Sequence, residues 1–318
     1  MSFIVEIPQS ESTQLKSGWQ LFQLLRTGKL IPGLAWRNPA YRHKFMLRSL
    51  ATPFSTLRFL NDLAQQPQLM QILNAQPGLP CRLHRPWLSI TMPRTQAIDA
   101  LRWHYQQFTR VLPVRVFNRY LTPNGVTLAV LSGKDEQRYT VRLRADAMLD
   151  KEGEATLLFC DSQETMLAEL TFTLCRVGGK NTLYIGGLQG AKAQVPHARI
   201  QTATKACHGL FPKRLLVEAA MTLGQQLGAE QIRAVSNETH IYRSLRYRRK
   251  KHEHLHADYN SFWASLGASV DGHGDYLLPR DMPRKPMEEI ASKKRAEYRR
   301  RYALLDSLHH QTRETCQR

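Results

Sequence analysis

The chain has 318 residues, with 45 Lys+Arg against 26 Asp+Glu and a formal charge of +19. Apolar residues make up 42 % and charged residues 22 %, globular proportions that exclude a disordered tail protein, a collagen-like repeat and a disulfide scaffold. The length suggests two domains of roughly 150 residues each. The basic surplus implies attraction to nucleic acid, anionic lipid or phosphate-bearing ligands without specifying a fold.

No Lys or Arg precedes Lys16 and no long apolar run follows, so a secretory signal is not expected. No window has the roughly 18 uninterrupted apolar residues of a membrane span. Cys81, Cys160, Cys175, Cys207 and Cys316 are scattered without a CxxC pair, which fits isolated thiols of a reducing compartment rather than a disulfide set or a zinc site. The expected location is the cytoplasm, with charge-mediated attachment to the inner face of the membrane as an option.

Residues 1–112 read as a basic helical region. Trp19, Leu21, Phe22, Leu24 and Leu25 cluster at helical spacing up to Gly28, and a second stretch from Tyr41 to Leu73 is broken by Pro53 and Pro67. A Pro-rich connector around Pro77, Pro80 and Pro86 leads to a helical segment from Thr95 to Val111. Through residue 120, Lys and Arg outnumber Asp and Glu by 15 to 4.

From Val114 to Gly190 the period becomes two. Strands are expected at Val126–Leu131, Tyr139–Leu143, Ala155–Cys160, Met166–Arg176 and Thr182–Leu188, separated by turn residues as in an antiparallel meander. A helix with apolar Leu215, Leu216, Ala219, Ala220, Leu223 and Leu227 follows Pro212 and stops at Gly228, and Gln231–Ser236 reads as a further strand. Residues 280–318 form a basic helical tail. The expected class is α+β: a helical N-terminal region, a mixed, mostly antiparallel core over 113–279, and the C-terminal helix.

A meander, a glycine-bearing loop, a helix and another strand, in that order, resemble the core of the GNAT acyltransferase superfamily. The resemblance implies that the strand before the central helix splays from its neighbour and that acyl-CoA lies in the gap, its pyrophosphate on the loop and helix N-terminus. One difference is that roughly twenty residues separate Gly190 from Leu210, and 197–208 are expected to fill that interval with an inserted helix.

Several motifs carry candidate chemistry. Gly187, Gln189 and Gly190 in GGLQG end a strand, where glycines let backbone N–H groups approach a phosphate; a plain strand exit is the alternative. Lys205, His208 and Lys213 in TKACHGLFPK could hold an anion, with His208 as acid or base. The same run also reads as a helix end at Gly209 and a helix start at Pro212. Cys207 beside these lysines is either a nucleophile or a buried structural thiol. Asn237 and Tyr242 in SNETHIY stand where the GNAT resemblance implies an Asn near the cofactor and a Tyr general acid; a helix cap is the alternative. In the same transferase reading His208 or Glu218 is the base. Residues 247–256 (YRRKKHEHLH) are either a basic edge or a row of metal-binding His. The aromatics of DYNSFW (258–263) are expected in the core. Lys293–Arg301, interleaved with Tyr298, is either a phosphate-contacting face or a solvated helix.

The runs GGLQG (186–190), TKACHGLFPKRLL (204–216), AVSNETHIY (234–242), DYNSFW (258–263) and KKRAEYRRRYALLD (293–306) together resemble the VirK/YbjX family of Gram-negative bacteria. That resemblance implies a cytoplasmic protein linked to virulence, envelope integrity and resistance to cationic antimicrobial peptides. It supplies no reaction. An acyl-CoA-dependent transferase is the first functional expectation. A basic adaptor on an anionic membrane surface or envelope component is the second, and RNA binding the third, reduced by the absence of an RNP-type signature in the strands.

Overall fold

A computed structural model describes residues 15, 17–247 and 258–317. The chain divides into two compact units, one up to Leu69 and one from Met70 onward. Among the described residues no helix is long and apolar enough to cross a membrane.

The first unit is helical. Helix α1 (Gly18–Thr27) starts at Ser17, whose hydroxyl accepts from the Gln20 N–H, and ends at Gly28 in the left-handed region. After α2 (Leu34–Arg37), prolines open both α3 (Pro39–Ala51) and α4 (Pro53–Ala64), where a missing N–H costs no helical hydrogen bond. Phe45 packs against Phe22 and Trp36, with centroids 5.5 and 5.1 Å apart, to form the centre of this unit.

The second unit is α+β. Helix α5 (Leu69–Ala75) and a 3-10 turn over Leu79–His84 lead to α6 (Arg94–Val111), which packs against the sheet. Residues Val114–Tyr120 are helical (α7), not extended: Pro113 starts the turn, and Val116, Phe117 and Tyr120 bury one face. The meander follows as β1 (Val126–Ser132), β2 (Arg138–Arg144), β3 (Ala155–Cys160), β4 (Met166–Val177) and β5 (Lys180–Gly190), each antiparallel to the one before it. Helices α8 (His197–Ala206) and α9 (Pro212–Gln226) then cross to β6 (Gln231–Ala234), which is parallel to β5. After α10 (Tyr259–Ser265), the short β7 (Ser269–Val270) and β8 (Tyr276–Leu277) complete the order β1-β2-β3-β4-β5-β6-β8-β7.

Helix α9 lies across β3, β4 and β5, and the basic tail forms α11 (Ser292–Gln317), which packs on α9 and β1. The tail also closes the sheet edge. Gln311 accepts from the Val130 N–H and donates to the Val130 carbonyl, both at 2.9 Å, so a side-chain amide takes the place of a neighbouring strand. Beneath α6, Arg82 is fully buried and forks onto Glu154, which also accepts from the Tyr105 hydroxyl at 2.8 Å. Such a paired, hydrogen-bonded charge is tolerated in the interior and fixes its neighbours.

Candidate functional site

Strands β5 and β6 run together only from Thr182↔Gln231 to Ile185↔Ala234, closing with the Val235 N–H on the Ile185 carbonyl at 3.0 Å. Beyond this point β6 has ended while β5 continues to Gly190, held by β4 alone. A notch in the strand pairing, filled by side chains of the protein itself, therefore lies beside Gly186–Gly190. Gly186 is the extra residue of a β-bulge, since Thr171 faces Gly187 while Phe172 faces Ile185.

The connection between β2 and β3 delivers Glu152 into this region. A Cβ on Gly186 would lie 2.0 Å from the Glu152 carbonyl oxygen, and one on Gly187 would lie 1.9 Å from Glu152 Oε2. These glycines thus make room for a carboxylate of the chain itself. Glu152 is 1 % exposed. Its oxygens accept from Gln189 Nε2 at 3.0 and 3.1 Å and from the Tyr242 hydroxyl. Burial pushes its carboxyl up to about 7, although both of those hydrogen bonds oppose the shift.

His240 faces the same group, with Nε2 4.0 Å from Glu152 Oε1. Its Nδ1 accepts from the Tyr242 N–H at 3.2 Å, so the neutral ring carries its proton on Nε2. Burial, then Arg243, lowers this imidazole to about 4, which keeps it uncharged at neutral pH. The ring stacks on Tyr259 at 5.2 Å and meets Tyr242 edge-on at 4.8 Å. The Tyr259 hydroxyl accepts from the Leu188 N–H at 3.3 Å, so an aromatic of α10 occupies the notch where a strand would have paired.

A single strap holds both arms of the cluster. The Leu88 N–H bonds the Lys151 carbonyl at 2.8 Å, the Ile90 N–H bonds the Thr239 carbonyl at 3.0 Å, and Ser89 bridges to His240. Leu88 itself is buried with φ at +65°, a left-handed geometry costly for a residue with a Cβ. Behind it, Thr239 and Tyr184 both donate to the buried Asp275, tying the loop after β6 to β5.

On the other side of Gly190 lies a cleft of about 510 Å³, lined by Leu167, Gly190, Ile200, Phe211, Lys213 and Phe262 among others. The N-cap residue of α9, Phe211, makes no side-chain capping bond, and Phe211 to Arg214 at this positive end of the helix line the cleft. Burial lowers the Lys213 ammonium below its ordinary value. Apolar walls, a helix N-terminus and a half-buried cation suit a chain-like ligand bearing phosphate.

The sequence-derived residues are thus divided among separate places. Gly187, Gln189 and Tyr242 meet around Glu152, and Asn237 adjoins them by accepting from the Tyr259 N–H and bonding Asp258 and Asn260. Gly190 and Lys213 line the cleft. His208 ends α8 with φ at +54°; burial, Lys134 and Arg300 lower its imidazole, and its carbonyl accepts from Arg301 Nε at 2.8 Å. Lys205 is exposed in the last turn of α8. Glu218 pairs with Arg214 at 2.8 Å and His309 at 3.3 Å, joining α9 to α11; burial would raise its carboxyl, but these partners hold it below the ordinary value. Cys207 is buried and its thiol is pushed up to about 12, the behaviour of a structural thiol. Residues 248–257, which hold most of the basic, His-bearing run, lie outside the described residues. Glu152, His240 and Tyr259 were not singled out by sequence. The available signals were the length of the β2–β3 connection and the acidic DKEGE run (150–154) in a basic chain.

A family described as "Protein of unknown function (DUF535)" matches residues 35–314. An Escherichia coli K12 relative, "Uncharacterized protein YbjX", is 50 % identical over 308 residues, covering 97 % of this chain and 93 % of its own. An uncharacterised Haemophilus influenzae protein is 30 % identical over 128 residues, covering 40 % of this chain and 42 % of its own. With the match spanning nearly the whole fold just described, the chain belongs to the DUF535 family, the family of the VirK and YbjX proteins.

Proposed function

We propose that this protein is a GNAT-like acyltransferase that moves an acyl group from a thioester such as acyl-CoA to an amine. The observation that carries the reading is the notch between β5 and β6, with a buried carboxyl pushed up to about 7 on one side and the cleft at the N-terminus of α9 on the other. Lys213 and the first-turn N–H groups of α9 would hold the phosphates, and the apolar cleft walls the chain. The thioester supplies an acyl carbon activated toward attack.

The protein's own part is to move protons. A carboxyl near 7 is about half ionised at neutral pH, matched to taking a proton from an attacking amine. Glu152 thus fills the role first offered to His208 or Glu218. The Tyr242 hydroxyl, hydrogen-bonded to Glu152, gives a proton to the departing sulfur and is refilled from Glu152, which restores both groups. Gln189 holds the carboxyl in place, and neutral His240 adds no charge beside it. The envelope role implied by the family resemblance, including resistance to cationic peptides, fits acylation of an envelope precursor.

Titration calorimetry with acyl-CoAs of increasing chain length, together with thiol release in the presence of polyamine acceptors, tests the reading. Binding weakened at least fivefold in Lys213→Ala, and turnover lost but binding kept in Glu152→Gln, is the expected result. No binding by folded protein, or turnover unchanged in Glu152→Gln, overturns it.

A further inference from the structure

The first unit bears a surface that the transferase reading does not use. An apolar groove of about 300 Å³ runs between α1, α3 and α4, lined by Trp19, Phe22, Met46, Leu50, Pro53 and Leu57, with Arg26 at its edge. Its neighbours are large and uncovered: Trp19 is 56 % exposed, Leu50 64 % and Phe54, in the first turn of α4, 88 %. A contiguous apolar face of this kind on a folded protein marks an interaction surface.

The charge around the groove identifies the partner. Residues 17–69 contain seven Lys/Arg and a single acid, Asp62. Arg26 of α1 lines the edge of the groove, and Arg58 is exposed on α4 one turn after Phe54. Aromatic and leucine anchors flanked by these two cations, on a unit with a strong basic surplus, match the two layers of an anionic bilayer surface, in which apolar side chains enter the headgroup boundary and Lys/Arg meet lipid phosphates. We propose that helices α1, α3 and α4 dock the protein on an anionic membrane surface, with Trp19, Leu50 and Phe54 as inserted anchors and the flanking Lys/Arg as headgroup contacts. This docking face is in the N-terminal unit and is independent of the acyl-transfer site.

Flotation of the full chain with phosphatidylcholine vesicles, with and without 30 % phosphatidylglycerol, tests the proposal. Binding only to the anionic vesicles is expected, falling about fivefold for each cation removed in Arg26→Ala or Arg58→Ala and lost in the Leu50→Asp/Phe54→Asp double variant. These positions are exposed, so circular dichroism of each variant should match the parent. Three results overturn the proposal. One is absence of flotation with either vesicle. The second is flotation unchanged in the double variant but lost in Arg299→Ala/Arg300→Ala, which assigns the contact to the C-terminal helix. The third is a dimer in sizing that Leu50→Asp dissociates while flotation persists, which assigns the groove to a second copy of the chain.

Discussion

Glu152→Gln is a sharp perturbation because it changes charge without changing shape. In the folded protein the carboxyl lies at about 7, whereas an ordinary glutamate lies at 4.5. Its folded value is raised, so the native state holds a proton that the unfolded chain releases. The stabilisation is complete below pH 4.5 and is lost as pH rises through 7. At about 1.4 kcal/mol per unit, the shift amounts to about 3 kcal/mol. Gln mimics the protonated acid, so parent and variant should be equally stable near pH 4 and diverge above it. By pH 8 the variant should be the more stable by about 3 kcal/mol, or roughly 6–12 °C in Tm for a unit of this size. Buried His240, lowered to about 4, acts with the opposite sign between about 4 and 6.5, which flattens the parent's own curve. The difference between the two proteins, followed by urea unfolding from pH 4 to 8, therefore isolates Glu152. A difference that is constant across that range would refute the buried, proton-holding carboxyl and the base role built on it.

Tyr259→Phe removes the hydroxyl that accepts from the Leu188 N–H, leaving a donor in the notch for a ligand to satisfy; acyl-CoA should bind several-fold more tightly in calorimetry, and weaker binding would contradict this. Gly187→Ala places a methyl 1.9 Å from Glu152 Oε2, so thermal unfolding should show a loss of roughly 1–3 kcal/mol, in the range of overpacked cores. Glu218→Gln breaks the α9–α11 tie to Arg214 and His309 and should cost about 1–3 kcal/mol while leaving turnover per folded molecule unchanged. Because those partners hold Glu218 below its ordinary value, its contribution is present at neutral pH and disappears as pH falls below about 4.5.

Local pattern was enough for the long elements. The period-two runs became β1 to β5, the inserted helix appeared as α8, and Asp258 caps α10 by accepting from the Ser261 N–H. The exceptions include the two-residue β7 and β8, too short to carry a period, and Val114–Tyr120, where a short apolar run fits either period and burial of Val116, Phe117 and Tyr120 selected the helix. For the site, Gly187, Gln189 and Tyr242 were visible because they sit in punctuated motifs. Glu152 was not, since a loop carboxylate has no periodicity and its burial depends on a glycine 35 positions later in the chain.

Sequence alone determined the class, the order of the long elements and the family, because hydrophobic period, turn residues and motif order are local properties. Only the tertiary structure decided which polar groups share one interior. Bringing Glu152, Gln189, His240, Tyr242 and Tyr259 together required a bulge at Gly186, the end of β6 after Ala234 and the strap through Leu88. The perturbed carboxyl at their centre exists because folding removed it from water, which no residue type or spacing encodes.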